Sequence, residues 1–239
     1  MKEKIFRDPV HNFIPVDDEL ALSVINSREF QRLRRIRQLG TSYVTYHGAE
    51  HSRFTHSLGA FHIMKRVLKR FDETGIPLSD QDKLVATIGA LVHDLGHGPF
   101  SHVWEKVIGK DKKHETWTRE MIEQDTEVGK LLRGRDPGLP KKVLEFLDGT
   151  YPVKYLSSLI SSQLDVDRMD YLLRDSLLTG ASYGQFDLQR VIQVLYNGPI
   201  KSDQKTRRAK LQSTHEKTLL ARPKSKDRTG NAQRTAERH

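Results

Sequence analysis

Three histidines and a carboxylate fall within ten residues: His93, Asp94, His97 and His102, in the run Leu91-Val92-His93-Asp94-Leu95-Gly96-His97-Gly98-Pro99-Phe100-Ser101-His102. An imidazole beside a carboxylate is a ready pair of ligands for a divalent metal. The apolar stretch Leu84 to Val92 that precedes them is long enough to bury the helix that carries them. A metal site needs further donors from other elements, and His56 and Asp167 are the candidates. Two imidazoles and two carboxylates make a mixed nitrogen and oxygen shell suited to one Mg, Mn, Fe, Co, Ni or Zn ion, with positions left for water or phosphate oxygens. Taken singly, His56 reads more readily as a hydrogen-bonded structural histidine and Asp167 as a solvated helix residue.

Two other groupings carry chemistry. In Asp167-Arg168-Met169-Asp170-Tyr171-Leu172-Leu173-Arg174-Asp175, steps of four put Asp167, Tyr171 and Asp175 on one helix face. Such a face could hold a metal at one end and a sugar hydroxyl at the other, although an exposed row of ion pairs is the plainer explanation. The second grouping is Gln38-Leu39-Gly40 with Arg53, whose planar guanidinium suits a phosphate. The basic run Phe30-Gln31-Arg32-Leu33-Arg34-Arg35-Ile36-Arg37 reads as a solvated or anion-binding face.

The elements that must position these residues are mostly helical. Residues 4–17 read as a small hairpin around Asp8-Pro9-Val10-His11-Asn12. Asp17 or Asp18 caps a first helix through Ile25. Asn26-Ser27-Arg28-Glu29 has capping-box spacing, and Phe30, Leu33, Ile36 and Leu39 recur at helical intervals, so a second helix is expected to reach Gly40. Helices follow over Phe54 to Phe71, from Ser79 to about Leu95, over 103–108, 114–124, 126–133 and 140–147, over Tyr155 to Leu178 with an interruption near Ser162–Asp165, and over Asp187–Tyr196. Strand-like alternation is scarce.

The net charge of +9 is unevenly spread: residues 198–239 hold 12 Lys/Arg and 4 Asp/Glu, so residues 1–197 carry only +1. The expected division is a body over 1–197 and a basic, disordered tail over 198–239, with no aromatic residue after Tyr196. The tail leaves nucleic acid as a partner to be considered. No apolar run approaches a membrane span, and no secretory signal is legible at the N-terminus. The chain has no cysteine, which excludes disulfides and thiolate metal sites and agrees with a cytoplasmic location.

His56, the His93-Asp94 doublet and Asp167, in this order, resemble the H…HD…D signature of the HD-domain phosphohydrolases. Asp8-Pro9-Val10-His11, Phe30-Gln31-Arg32-Leu33-Arg34, Gln38-Leu39-Gly40, Arg53-Phe54-Thr55-His56-Ser57-Leu58-Gly59, His93–His102 and Asp165-Val166-Asp167-Arg168-Met169-Asp170-Tyr171 narrow the resemblance. They are similar to one branch, the deoxynucleoside triphosphate triphosphohydrolases, over roughly residues 5–195. The resemblance implies a mainly α HD-domain fold with a small N-terminal β-hairpin. It implies hydrolysis of a dNTP to deoxynucleoside and triphosphate.

By the same resemblance, His56, His93, Asp94 and Asp167 would ligate one divalent metal ion. His97 and His114 would be the acid/base histidines, with Glu105 orienting His97. Arg53, His102 and Arg168 would hold phosphate oxygens. Gln38, Tyr171 and Asp175 would read the sugar 3′-hydroxyl, and Leu39 would exclude a ribo 2′-hydroxyl. Asn26, Gln31 and Arg34 fall in the region where relatives bind an effector nucleotide between subunits of a dimer or tetramer. Asn26 stands where the guanine-responsive member has Asp. Relatives continue well past residue 200, so the chain reads as shorter at its C-terminus. Two alternatives stay open: another HD phosphohydrolase, such as a nucleotidase or phosphodiesterase, and a nucleotide- or nucleic-acid-binding protein with little turnover.

Overall fold

A computed structural model describes residues 3–100, 113–196 and 212–213. Strands β1 (Lys4–Asp8) and β2 (Asn12–Val16) pair antiparallel in the register Lys4 to Val16 through Asp8 to Asn12. The connecting turn is held by Asp8, whose Oδ1 accepts the backbone N–H groups of Val10 and His11 at 2.9 and 3.0 Å. Among the described residues ten helices follow: α1 (Glu19–Asn26), α2 (Arg28–Gln31), α3 (Arg53–Glu73), α4 (Asp80–Val92), α5 (His114–Glu123), α6 (Glu127–Arg135), α7 (Leu139–Leu147), α8 (Lys154–Ser158), α9 (Val166–Thr179) and α10 (Leu188–Val194). The described part is mainly helical with a two-stranded N-terminal hairpin, the expected class.

Helix α3 is the spine. Its apolar positions Phe54, Phe61, Met64, Val67 and Phe71 are buried, and it packs against both α4 and α9. Helix α4 presents Val85, Ile88, Leu91 and Val92 to the same core, and α7 covers it with Val143 and Phe146. Hydrophobic burial of this kind, at roughly 1.5–3 kcal/mol per large side chain, is what holds helices of such modest length. Ser79 and Asp82 form a full capping box at the start of α4. Asp165 caps α9 by accepting from the N–H of Arg168, and Gly180, at φ +76°, ends it in the left-handed region. None of the described helices is long and apolar enough to cross a membrane.

The hairpin, the Asp18 cap and the interrupted stretch before α9 are as expected. Three elements differ. The second helix does not run to Gly40: Ser27, not Asn26, caps α2, which lasts one turn before a 3-10 turn over Arg32–Arg35. Its carboxylate Glu29 accepts from the N–H of Glu127, while Glu127 accepts from the N–H of Arg28. The helix stops because residues 36–38 bond elsewhere. Arg53 N–H donates to Ile36, Gln38 N–H donates to His51, and Arg37 bridges Ser52 antiparallel. Second, α4 ends at Val92, so His93 to Gly96 form a turn. Third, the final helix stops at Val194. The segment 103–108 and nearly all of the tail, 198–239, lie outside the described residues.

Candidate metal and phosphoryl site

The site lies where the start of α3, the end of α4 and the first turns of α9 meet. His56 sits one turn into α3, His93 and Asp94 at the end of α4, and Asp167 on the first turn of α9. His56 Nε2 is 3.3 Å from His93 Nε2, 3.8 Å from Asp94 Oδ2 and 3.0 Å from Asp167 Oδ1. His93 Nε2 is 3.5 Å from Asp94 Oδ1 and 3.6 Å from Asp167 Oδ1. His56, His93 and Asp94 each offer a ligand atom within 4.8 Å of the other two.

Each imidazole is aimed by its other nitrogen. His56 Nδ1 donates to Asp170 Oδ2 at 2.8 Å, and His93 Nδ1 donates to the Ala90 carbonyl at 2.8 Å. Both Nε2 atoms therefore face the common point, the arrangement seen when histidines ligate a metal. Donors about 3 Å apart match the edge of a coordination shell with bonds near 2.1 Å. The residues fit one divalent cation.

Electrostatics agree with that fit. Burial works against charge on His56, but Asp167 and Asp170 outweigh it and push the imidazole up to about 10. Burial also opposes charge on Asp94, yet His93, Arg53 and His97 hold its carboxyl well below the usual range. Asp167 is likewise lowered against its burial by His56 and His93. Without a cation, the cluster retains a proton between closely spaced donors, and a metal ion can take its place.

A cavity of about 620 Å³ opens beside these groups. Arg53, His93, Asp94 and Asp167 line it, as do His97 and His114. Gln38, Leu39, Tyr171 and Asp175 line the same cavity, so the steps of four on α9 do bring Asp167, Tyr171 and Asp175 to it. The Oε1 of Gln38 is buried there without a hydrogen-bond partner. His97 and His114 stack, centroids 3.9 Å apart and planes at 17°. His97 Nε2 is 3.3 Å from Asp94 Oδ1, but burial dominates and lowers the imidazole to about 4. Gly96 makes the stack possible: a Cβ there would stand 2.1 Å from the His114 carbonyl oxygen and 2.3 Å from Thr118 N.

Other expected site residues fall differently. Arg53 lines the cavity, and its Nη1 donates to Asp94 Oδ2 at 2.6 Å. Asp175 is held by His51, whose Nε2 is 2.8 Å from Asp175 Oδ1. Arg168 is not part of the cavity wall, and its Nε lies 3.8 Å from Asp165 Oδ2. Asn26, Gln31 and Arg34 also lie away from the cavity wall. Gln31 Oε1 accepts from Arg34 Nε at 2.8 Å, Arg34 covers the Phe54 ring, and Asn26 is exposed. His102 and Glu105 lie outside the described residues.

Sequence reasoning missed Asp170 and Arg174, a second pair at a step of four on α9, turned to the buried side. It also missed His51, and Arg32, whose guanidinium donates to the carbonyls of Leu95 and His97 and so holds the turn after the doublet.

The HD domain model matches residues 53–175. The chain is 52% identical over 194 residues to the uncharacterized protein YwfO of Bacillus subtilis, across 81% of this chain and 44% of that protein. It is 33% identical over 223 residues to the deoxynucleoside triphosphate triphosphohydrolase SAMHD1 of Mus musculus, across 80% of this chain and 34% of the mouse protein. Among solved structures it is similar to a phosphohydrolase from Bacteroides thetaiotaomicron, with a TM-score of 0.75 and 36% identity over 82% of this chain and 47% of that one. The chain thus spans less than half the length of each of these relatives. The match spans the three elements that carry the doublet and its partners, and the chain belongs to the HD domain family.

Proposed function

We propose that this chain carries the catalytic core of a metal-dependent deoxynucleoside triphosphate triphosphohydrolase. The observation that supports it best is the cavity itself, which brings metal-ligand candidates and the stacked histidines together with Gln38, Leu39, Tyr171 and Asp175. That combination offers a charged end for phosphates and a small polar end for a sugar. SAMHD1 is named for this activity, and the Bacteroides relative is named only as a phosphohydrolase.

In this reading His56, His93, Asp94 and Asp167 hold one divalent cation. When bound, such a cation offsets phosphate charge that otherwise repels a nucleophile. Water oxygen adds to the α-phosphorus, and the bond from that phosphorus to the nucleoside 5′-oxygen breaks. The 5′-oxygen leaves with a proton, giving deoxynucleoside and inorganic triphosphate. His97 and His114 manage the protons at this end. Burial keeps His97 neutral at pH 7, so it enters the reaction without a proton of its own.

At the other end, the unpartnered Oε1 of Gln38 takes a hydroxyl donor, which answers the cost of leaving it buried and unsatisfied. Leu39 fills the space a ribo 2′-hydroxyl would need, and a clash discriminates more strongly than a lost contact. An oligomer and an effector nucleotide bound near Asn26, Gln31 and Arg34 belong to the same reading.

Purified protein with Mn²⁺ or Mg²⁺ is incubated with dNTPs, NTPs and nucleoside monophosphates, and products are separated by anion exchange. Inorganic triphosphate from dNTPs alone is expected. Orthophosphate from monophosphates would overturn this reading in favour of a nucleotidase.

A further inference from the structure

Behind His56 lies a buried charge network that runs back to the N-terminal hairpin. Asp170 is wholly buried and receives three partners at once. His56 Nδ1 is 2.8 Å from its Oδ2 and His11 Nε2 is 2.6 Å from its Oδ1, while Arg174 donates to both oxygens at 2.8 and 2.9 Å. Arg174, also fully buried, reaches on to Asp8 at 2.9 and 3.3 Å. The circuit then closes, because Asp8 is the residue whose carboxylate shapes the turn that carries His11.

No surface ion pair would be built this way. Removing carboxylates and a guanidinium from water costs several kcal/mol each and is repaid only when every polar atom is matched. Room has also been cleared for it: a Cβ on Gly59 of α3 would lie 1.8 Å from Asp170 Oδ1. The only member of the network that faces the metal-ligand cluster is His56. None of the five residues lines the cavity itself.

We propose that the hairpin turn is a positioning device for the metal site. His11, aimed by Asp8 and Arg174, fixes the carboxylate of Asp170, which in turn fixes the rotation and tautomer of His56. His11 is thus a positioning residue about one hairpin away from the chemistry, and the N-terminal strands serve the metal rather than only the core. This inference rests on the metal-site reading above.

Three proteins decide it: wild type, His11→Ala and His11→Gln, each stripped of metal and titrated with Mn²⁺ by calorimetry, with the metal-free Tm recorded alongside. His11→Ala is expected to bind Mn²⁺ about 10–100-fold more weakly, as loss of an outer partner of a ligating histidine does. His11→Gln, which keeps an N–H donor, is expected to recover most of that affinity. If His11→Ala binds within threefold of wild type, the proposal is overturned while the metal site stands. If the loss in His11→Ala is matched in His11→Gln and follows the fall in Tm alone, the turn is only structural and the proposal fails. Wild type that takes up no divalent ion overturns both readings together.

Discussion

The rings of His97 and His114 lie face to face, 3.9 Å apart, although seventeen positions separate them and they belong to different elements. Their stacking joins the turn after the doublet to the first residue of α5, and so joins the two parts of the cavity wall that carry titratable nitrogen. Substituting either with Asn is expected to lower turnover by roughly 10²–10⁴-fold, the usual size of acid–base catalysis. Metal content should stay at the wild-type level. Metal analysis beside product assays checks this, and loss of metal in step with activity would remove the proton-transfer role.

Gly96 holds that stack in place sterically. Gly96→Ala would press a methyl group against backbone atoms of α5, not against a flexible side chain. A loss of about 1–3 kcal/mol is expected, with His114 displaced and turnover reduced more than stability. Thermal melts and a kcat measurement on the same preparation test it; an unaltered kcat would show that the stack is dispensable.

The metal-free protein is expected to be most stable near pH 6.5. Burial pulls His97 and His62 down to about 4, so the unfolded chain takes their protons first as the pH falls below 6.5, and stability is lost toward pH 4. His56 runs the other way. Its imidazole is held at about 10, so its contribution is complete below 6.5 and disappears as the pH rises through 10. A saturating divalent cation takes the place of the His56 proton and should flatten the alkaline decline alone. Tm measured from pH 4 to 10 with and without Mn²⁺ decides the matter; an alkaline limb indifferent to metal would contradict the assignment.

Arg53→Ala should destabilise the metal-free protein by about 3–5 kcal/mol, because Asp94 would be left buried and without its guanidinium. Metal should recover part of that loss by neutralising the same carboxylate. Denaturant melts in both states measure the difference, and equal losses would mean that the cation does not touch Asp94.

Much of this was legible in the sequence, for identifiable reasons. Caps such as Asp18 and Ser79 are local, and apolar periodicity over Phe54 to Phe71 is strong, so α1, α3 and α4 could be read directly. Asp167, Tyr171 and Asp175 were found because helical steps of four are a property of the chain alone. Residues 30–39 misled because the periodicity was real but lost to backbone bonds with His51 and Arg53, which no local pattern announces. His11 and Asp170 stayed hidden for a similar reason: their partners are 159 positions apart. The same applies to Arg53, whose affinity for anions was legible but whose actual partner, Asp94, was not.

The small bridge between Arg37 and Ser52 has a consequence for how this cavity could change over time. Gln38 and Leu39 on one side and Arg53 on the other are suspended from the same main-chain hydrogen bonds, Gln38 N–H to His51 and Arg53 N–H to Ile36. The alignment of those two segments is therefore set by peptide groups rather than by side chains. Exchanging residues at the rim can alter what the cavity prefers, but the spacing of Gln38 and Leu39 from Arg53 is inherited with the backbone.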